Sequence, residues 1–177
     1  MSGIDKGYVH IYTGDGKGKT TAALGLALRA AGRGLRSHIV QFMKGQPYGE
    51  LDAVKILYPL VVIEQYGDES FCRFTDPPDP GDIGRARVAF DRLIELMGSG
   101  TCDILIGDEA ITAVTFKLIS EDDLLAVMRK KPEGMELVLT GRGATEGLIH
   151  AADLVTEMKE IKHYYTKGIL ARKGIEL

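Results

Sequence analysis

Short apolar runs recur along this chain, and between them apolar residues fall at helical spacing. The first run, GYVHIY at residues 7–12, is β-branched and aromatic and leads directly into TGDGKGKTT, which predicts a strand entering a glycine-rich loop. From Lys19 onward, KTTAALGLALRAAGRG has Ala or Leu at nearly every position. It predicts a helix buried on most sides that ends after Arg29 at Gly32 and Gly34. Residues 37–43 and 60–66 predict two further strands, joined by a turn and a short helix within GQPYGELDAVKIL. Residues 85–100 set Val88, Leu93, Leu96 and Met97 at helical spacing and close on glycines, and residues 103–110 read as a buried strand ending in two carboxylates. In residues 120–131 a Ser N-cap, acids in the first turn and bases in the last mark a helix whose charges oppose its dipole. Residues 135–143 and 152–158 predict two more strands, with a short helix around 145–150 between them.

Strands alternating with helices predict an α/β fold, a mostly parallel sheet with helices on both faces and right-handed crossovers. Ligands of such sheets bind beyond the carboxyl ends of the strands. One stretch breaks the alternation. Residues 65–82 have no periodicity, carry Pro77, Pro78 and Pro80, and are rich in acids, which predicts a long functional loop.

Composition narrows the classes. At 177 residues the chain suits one domain, residues 1–177, and 45 % hydrophobic with 27 % charged residues is an ordinary globular balance. The formal net charge of −3 is unevenly spread. Residues 1–46 hold seven Lys or Arg against Asp5 and Asp15, so a small anionic ligand near that segment fits better than nucleic acid, whose binders are basic overall. Cys72 and Cys102 match no metal spacing, and no apolar run reaches membrane length. Free thiols, no membrane and a cytoplasmic location are the resulting expectations.

The chemistry concentrates in Gly14, Asp15, Gly16, Lys17, Gly18, Lys19, Thr20 and Thr21. Between a strand and a helix, such a run turns successive backbone N–H groups inward toward phosphate. Lys19 adds a point charge, and the Thr20 hydroxyl is placed to ligate Mg²⁺. The first glycine comes one place late for the usual spacing, since Thr13 stands where a glycine is expected. Asp108 and Glu109 at a strand end are placed either to reach a metal held on phosphates or to cap a helix. Arg142, between Gly141 and Gly143, is either a flat cation for phosphate oxygens or a solvated turn residue. Arg29 is a lone cation on an apolar helix, where a snorkelling surface side chain is the simpler reading.

Taken in order, GDGKGKTTAALGLALRAAGRG, VQFMKG, GDEA, LTGRGA, ADLVTEM and KHYYTKGILARKGIE resemble the P-loop type of ATP:corrinoid adenosyltransferase over almost the whole chain. The late glycine is that family's own variant. The resemblance implies a P-loop NTPase-like (RecA-like) fold and a transferase acting in adenosylcobalamin biosynthesis or salvage. In that reaction Co(I) of a reduced corrinoid attacks the ribose 5′ carbon of ATP and inorganic triphosphate leaves, with ATP lying reversed along the loop. It implies residues 14–21, Arg29 and Arg142 as ATP-binding, Lys19, Thr20 and Glu109 as catalytic, and Thr20, Glu109 and Asp108 as the Mg²⁺ site. An electron-donating reductase or flavodoxin-like protein and a homodimer follow from the same likeness.

Two positions depart from the pattern. Asp15 stands where the family commonly has Asn, which adds a negative charge beside a polyphosphate and predicts a side chain turned away or toward ribose. In SFCRFTD, Phe71 matches a family Phe below the corrinoid ring, but Arg73 falls where a Trp is usual and Phe74 follows it. Either Phe74 substitutes through a shifted loop or the corrinoid is held differently. The residues shared with other P-loop proteins leave two further readings, an ordinary kinase or NTPase and a non-catalytic ATP- or corrinoid-binding protein.

Overall fold

The computed structural model describes residues 3–69, 72 and 74–177. Six strands form one all-parallel sheet: β1 (Val9–Thr13), β2 (Ser37–Phe42), β3 (Val61–Tyr66), β4 (Ile104–Asp108), β5 (Glu136–Thr140) and β6 (Leu154–Glu157). Their order is β3-β2-β4-β5-β1-β6, so β1 lies inside the sheet beside β5 and its exit loop opens next to the exits of β4 and β5. The helices are α1 (Lys19–Ala31), α2 (Gly49–Leu57), α3 (Pro80–Ser99), α4 (Ala110–Thr115), α5 (Glu121–Lys130) and α6 (Glu146–Ala151), with a 3₁₀ turn at Tyr164–Lys167. Among the described residues no helix is long and apolar enough to cross a membrane.

Alternation along the central strands feeds two cores. On β4, Ile104 and Ile106 face the side covered by α1, while Leu105 faces α3; Val138 and its neighbours Leu137 and Leu139 divide the same way on β5. The α1 side is built on Ala23, Ala27, Ala30 and Ala31. Those small side chains let the helix lie close on the sheet, so only one face of α1 is buried. Leu28 is exposed, contrary to the expectation of burial on most sides.

Two other expectations change. The helix expected from residue 85 begins at Pro80, because the Asp79 carboxylate accepts hydrogen bonds from the N–H groups of Gly81 (2.8 Å) and Asp82 (3.2 Å) and Pro80 sits at the first helical position. The prolines that suggested loop therefore include a helix start. The buried stripe of α3 is Ala86, Ala89, Phe90, Leu93, Leu96 and Met97, whereas Val88 is 56 % exposed. Five residues from Leu93, Val88 lies about 140° around the helix from it. The strand expected over 103–110 stops at Asp108, since Glu109 turns into α4, a helix that the short apolar run ITAV does not announce.

The segment after β3 is packed where it starts. A Cβ at Gly45 would lie 2.5 Å from the Asp68 carbonyl oxygen, so this stretch lies against the loop after β2. Further along, the exposed Phe74 meets Phe116 edge-on, ring centroids 5.6 Å apart, and Lys117 pairs with Asp76 at 2.7 Å.

Candidate nucleotide and corrinoid site

The loop between β1 and α1 wraps the amino end of α1 and is braced by the end of β6. The Gly16 N–H donates to the Met158 carbonyl at 2.6 Å, and a Cβ on either Gly14 or Gly16 would lie 2.6 Å from that same oxygen. Gly14 (φ +93°) and Gly18 (φ +126°) hold conformations that L side chains rarely adopt. Glycine is thus required here both by space and by backbone angle. Lys19 is buried, and its ammonium donates to the carbonyls of Gly14 (2.6 Å) and Gly16 (2.9 Å), curled over the loop's own cradle. Burial pulls its pKa below the ordinary lysine value, with Glu109 pushing the other way.

Beside the loop the Asp108 carboxylate is fully buried and accepts four hydrogen bonds. Thr20 (2.8 Å) and Thr140 (2.7 Å) donate to Oδ1; Lys44 (2.8 Å) and Gln41 (3.1 Å) donate to Oδ2. The Lys44 ammonium also donates to Thr20 Oγ1 at 3.1 Å, so it bridges the hydroxyl and the carboxylate. Burial pulls the Lys44 pKa down, but the charge and hydrogen bond of Asp108, with Glu109 and Glu50, outweigh it and the net shift is upward. Thr20 Oγ1 and the Asp108 carboxylate are oxygen donors of the kind Mg²⁺ takes, and the Lys44 ammonium lies between them.

Glu109 holds a left-handed backbone (φ +62°), a strained conformation outside glycine and one found at functional sites. Its N–H donates to Thr140 Oγ1 at 3.0 Å and its carboxylate accepts from Thr112 at 2.5 Å; it stands at the amino end of α4 without a side-chain capping hydrogen bond and lines the loop cavity. The Arg142 N–H donates to Thr112 Oγ1 (2.9 Å) and its carbonyl accepts from Thr115 (3.0 Å). The turn is thereby pinned while the guanidinium stays exposed on the cavity rim.

Two cavities share this wall. One, of about 530 Å³, is lined by the loop residues 15–21 and by the chain's last residues. The other, of about 670 Å³, adds Met43, Cys72, Thr115 and Phe116, and both touch Asp15, Lys19, Lys44, Glu109 and Arg142. Asp15 is exposed on their common rim. Lys17 lines the first cavity with its ammonium turned to the C-terminal tail.

The structure thus gathers residues 14–21, Asp108, Glu109 and Arg142. It does not bring Arg29 to them: Arg29 is exposed in the last turn of α1, about 15 Å along the helix from Lys19. Phe74 contacts Phe116, a wall residue of the second cavity, while Phe71 and Arg73 lie outside the described residues. Lys44, Gln41 and Thr140 were not singled out from sequence; a Lys two residues past a strand and a Thr at a strand end carry no signal until the strands are placed side by side.

A sequence profile of the family described as ATP:corrinoid adenosyltransferase BtuR/CobO/CobP matches residues 5–177. The corrinoid adenosyltransferase of Pseudomonas aeruginosa is 34 % identical over 172 residues, covering 97 % of this chain and 84 % of that protein. That of Escherichia coli K12 is 30 % identical over 173 residues, covering 97 % and 86 %. Among solved structures, the flagellar accessory protein FlaH from Methanocaldococcus jannaschii superposes with a TM-score of 0.56 at 14 % identity, over 87 % of this chain and 72 % of that one. That likeness concerns the fold, which is P-loop NTPase-like.

Proposed function

This chain belongs to the ATP:corrinoid adenosyltransferase family, and we propose on that premise that its two joined cavities hold the two substrates of one alkyl transfer. The chain transfers the 5′-deoxyadenosyl group of ATP to the cobalt of a reduced corrinoid. In the step, the electron pair of Co(I) forms the cobalt–carbon bond at the ribose 5′ carbon, the C5′–O bond breaks, and its pair leaves with inorganic triphosphate. Cobalt ends two electrons more oxidised, and no phosphoryl group moves.

The observation that carries this reading is the shared wall. A cavity lined by the glycine-rich loop and its lysines meets a second cavity with apolar Met43 and Phe116, and Lys19, Glu109 and Arg142 stand between them. Triphosphate in the first and corrinoid in the second put the 5′ carbon at their junction. Negative charge grows on the triphosphate as it leaves, so Lys19 and the N–H groups of residues 17–21 stabilise the transition state more than the ground state. Lys19 needs only to leave the carbonyls of Gly14 and Gly16 to reach a phosphate oxygen.

Thr20 and Asp108, with Glu109 nearby, fit a Mg²⁺ site, and when bound the ion supplies charge neutralisation for the leaving triphosphate. Asp108 orients the Thr20 hydroxyl, and Lys44 pairs with that carboxylate at 2.8 Å. Arg142 reaches phosphate from the rim. Phe74, with Phe116 behind it, supplies an apolar surface for the lower face of the corrinoid, the place where the family's Trp is absent. Arg29 faces solvent and suits contact with a second copy better than with the loop of its own chain. A single domain, a homodimer, a separate electron donor that reduces Co(II) to Co(I), and a cytoplasmic setting complete the proposal.

The test is anaerobic incubation of the protein with Mg-ATP and chemically reduced corrinoid. Formation of a light-sensitive alkyl-cobalt species that needs protein, ATP and Mg²⁺ together is expected. Binding of both substrates with no such species would leave a non-catalytic carrier and overturn the assignment.

A further inference from the structure

The C-terminal tail lies on the phosphate loop. All three protons of the Lys17 ammonium are directed at it: Glu176 Oε1 accepts at 2.6 Å, the Ile175 carbonyl at 3.1 Å and the Tyr164 hydroxyl at 3.2 Å. Glu176 is the hub of the contact. It also accepts from the Tyr164 hydroxyl, from the Arg172 N–H at 2.9 Å and from the Arg172 guanidinium at 3.3 Å. The guanidinium rests 4.7 Å from the centre of the Tyr164 ring. Gly168 (φ +78°) and Gly174 (φ +77°) supply the left-handed turns on the way to this contact.

An ammonium whose three donors are engaged has none left for a phosphate oxygen. Lys17 therefore does different work from Lys19, although both stand in the same glycine-rich run. The tail's own position says what that work is. Gly174, Ile175, Glu176 and Leu177 line the phosphate cavity, and none of them lines the second cavity beyond Lys19 and Arg142. The tail closes one side and leaves the other open.

We propose that Lys17 and Glu176 form a clamp that holds residues 174–177 over the phosphate loop as an end wall of the nucleotide pocket. The ligand chemistry is that of the phosphates of a nucleoside triphosphate farthest from the sugar, and the proposal rests on the ATP reading above. A bare carboxylate there would repel such a ligand, but Glu176 shares its charge with Lys17 and Arg172, and the cluster of three is net positive. With that end walled, the nucleoside is directed toward the junction with the second cavity at Lys19, Glu109 and Arg142. The clamp thus fixes the direction in which the polyphosphate lies, and Lys17 and Glu176 are positioning residues.

Calorimetric titration with Mg-ATP and with inorganic triphosphate separates the possibilities, using the wild type, Lys17→Met, Glu176→Gln, the double variant and a chain ending at Lys173. Each protein is first checked for a cooperative unfolding transition. Each single variant and the shortened chain are expected to bind both ligands about tenfold more weakly, and the double variant no worse than either single one, because the residues act as one unit. Turnover at saturating ATP is expected to fall along with affinity, because nucleotide bound in the other direction is unproductive. Tighter binding by Glu176→Gln or by the shortened chain would make the tail a plug and overturn the clamp. So would unchanged binding, or a larger loss in Lys17→Met that adds to that of Glu176→Gln, which would make Lys17 a direct phosphate ligand. A wild type that binds neither ligand would instead remove the ATP reading, and the clamp with it.

Discussion

Thr20 and Asp108 stand on opposite sides of the site, one opening α1 and one closing β4, and are joined by a 2.8 Å hydrogen bond. The groups around them divide the work. In the proposed function Lys19 meets phosphate, while Asp108 accepts from the Thr20 hydroxyl and pairs with Lys44. Lys19→Ala is expected to lower kcat at least about 100-fold with little change in unfolding temperature, measured by turnover beside a thermal melt. Asp108→Asn leaves the Lys44 ammonium buried without its counter-charge, a loss of about 3–5 kcal/mol. It therefore lowers the unfolding midpoint as well as turnover, which a urea titration reads directly. The glycines, Lys19 and Thr20 were legible because a phosphate cradle needs those residues consecutively. Lys44 and Thr140 were not, because their value comes from lateral contacts between strands far apart in the chain.

Glu64 shows how one carboxylate ties elements together. Lying on β3, it accepts two hydrogen bonds from Arg92 on α3 (2.9 and 2.8 Å), one from the Tyr66 hydroxyl (2.6 Å), and lies 2.8 Å from His38 on β2. Chiefly through Arg92, its pKa falls from 4.5 to about 2. A depressed carboxylate stabilises the fold fully above its unfolded value and loses that contribution as pH falls toward the folded one. The stability gap between wild type and Glu64→Gln is thus expected to hold steady down to about pH 5 and to shrink between there and about pH 2, as denaturant midpoints would show. A gap that widened on acidification would contradict this. Leu93→Ala, in the buried stripe of α3, is expected to cost about 2–5 kcal/mol, and Val88→Ala within about 0.5 kcal/mol, by the same titration. Helix existence is legible here, but not its start. Pro80 reads as a loop breaker unless Asp79 is known to cap the helix it opens, and Val88 reads as core because it shares a helix with Leu93 without sharing its face.

For the molecule as a whole, the alternation of apolar runs was enough for a parallel sheet with helices on both faces. The order β3-β2-β4-β5-β1-β6 was not written in those runs, since it depends on which crossovers pass over which strands. Nor was the return of the tail to Lys17, a contact between residues 159 positions apart. That order puts the ends of β1, β4 and β5 side by side, and with them two cavities sharing a single wall, one on the glycine-rich loop and one more apolar. The arrangement suits a reaction in which a polyphosphate leaves whole while carbon bonds to a large partner. The most direct test is the identity of the phosphate product during turnover with reduced corrinoid under strict exclusion of oxygen. One inorganic triphosphate released per adenosylated corrinoid is expected; ADP and orthophosphate in place of triphosphate would contradict the proposed transfer and return the chain to the ordinary P-loop NTPases.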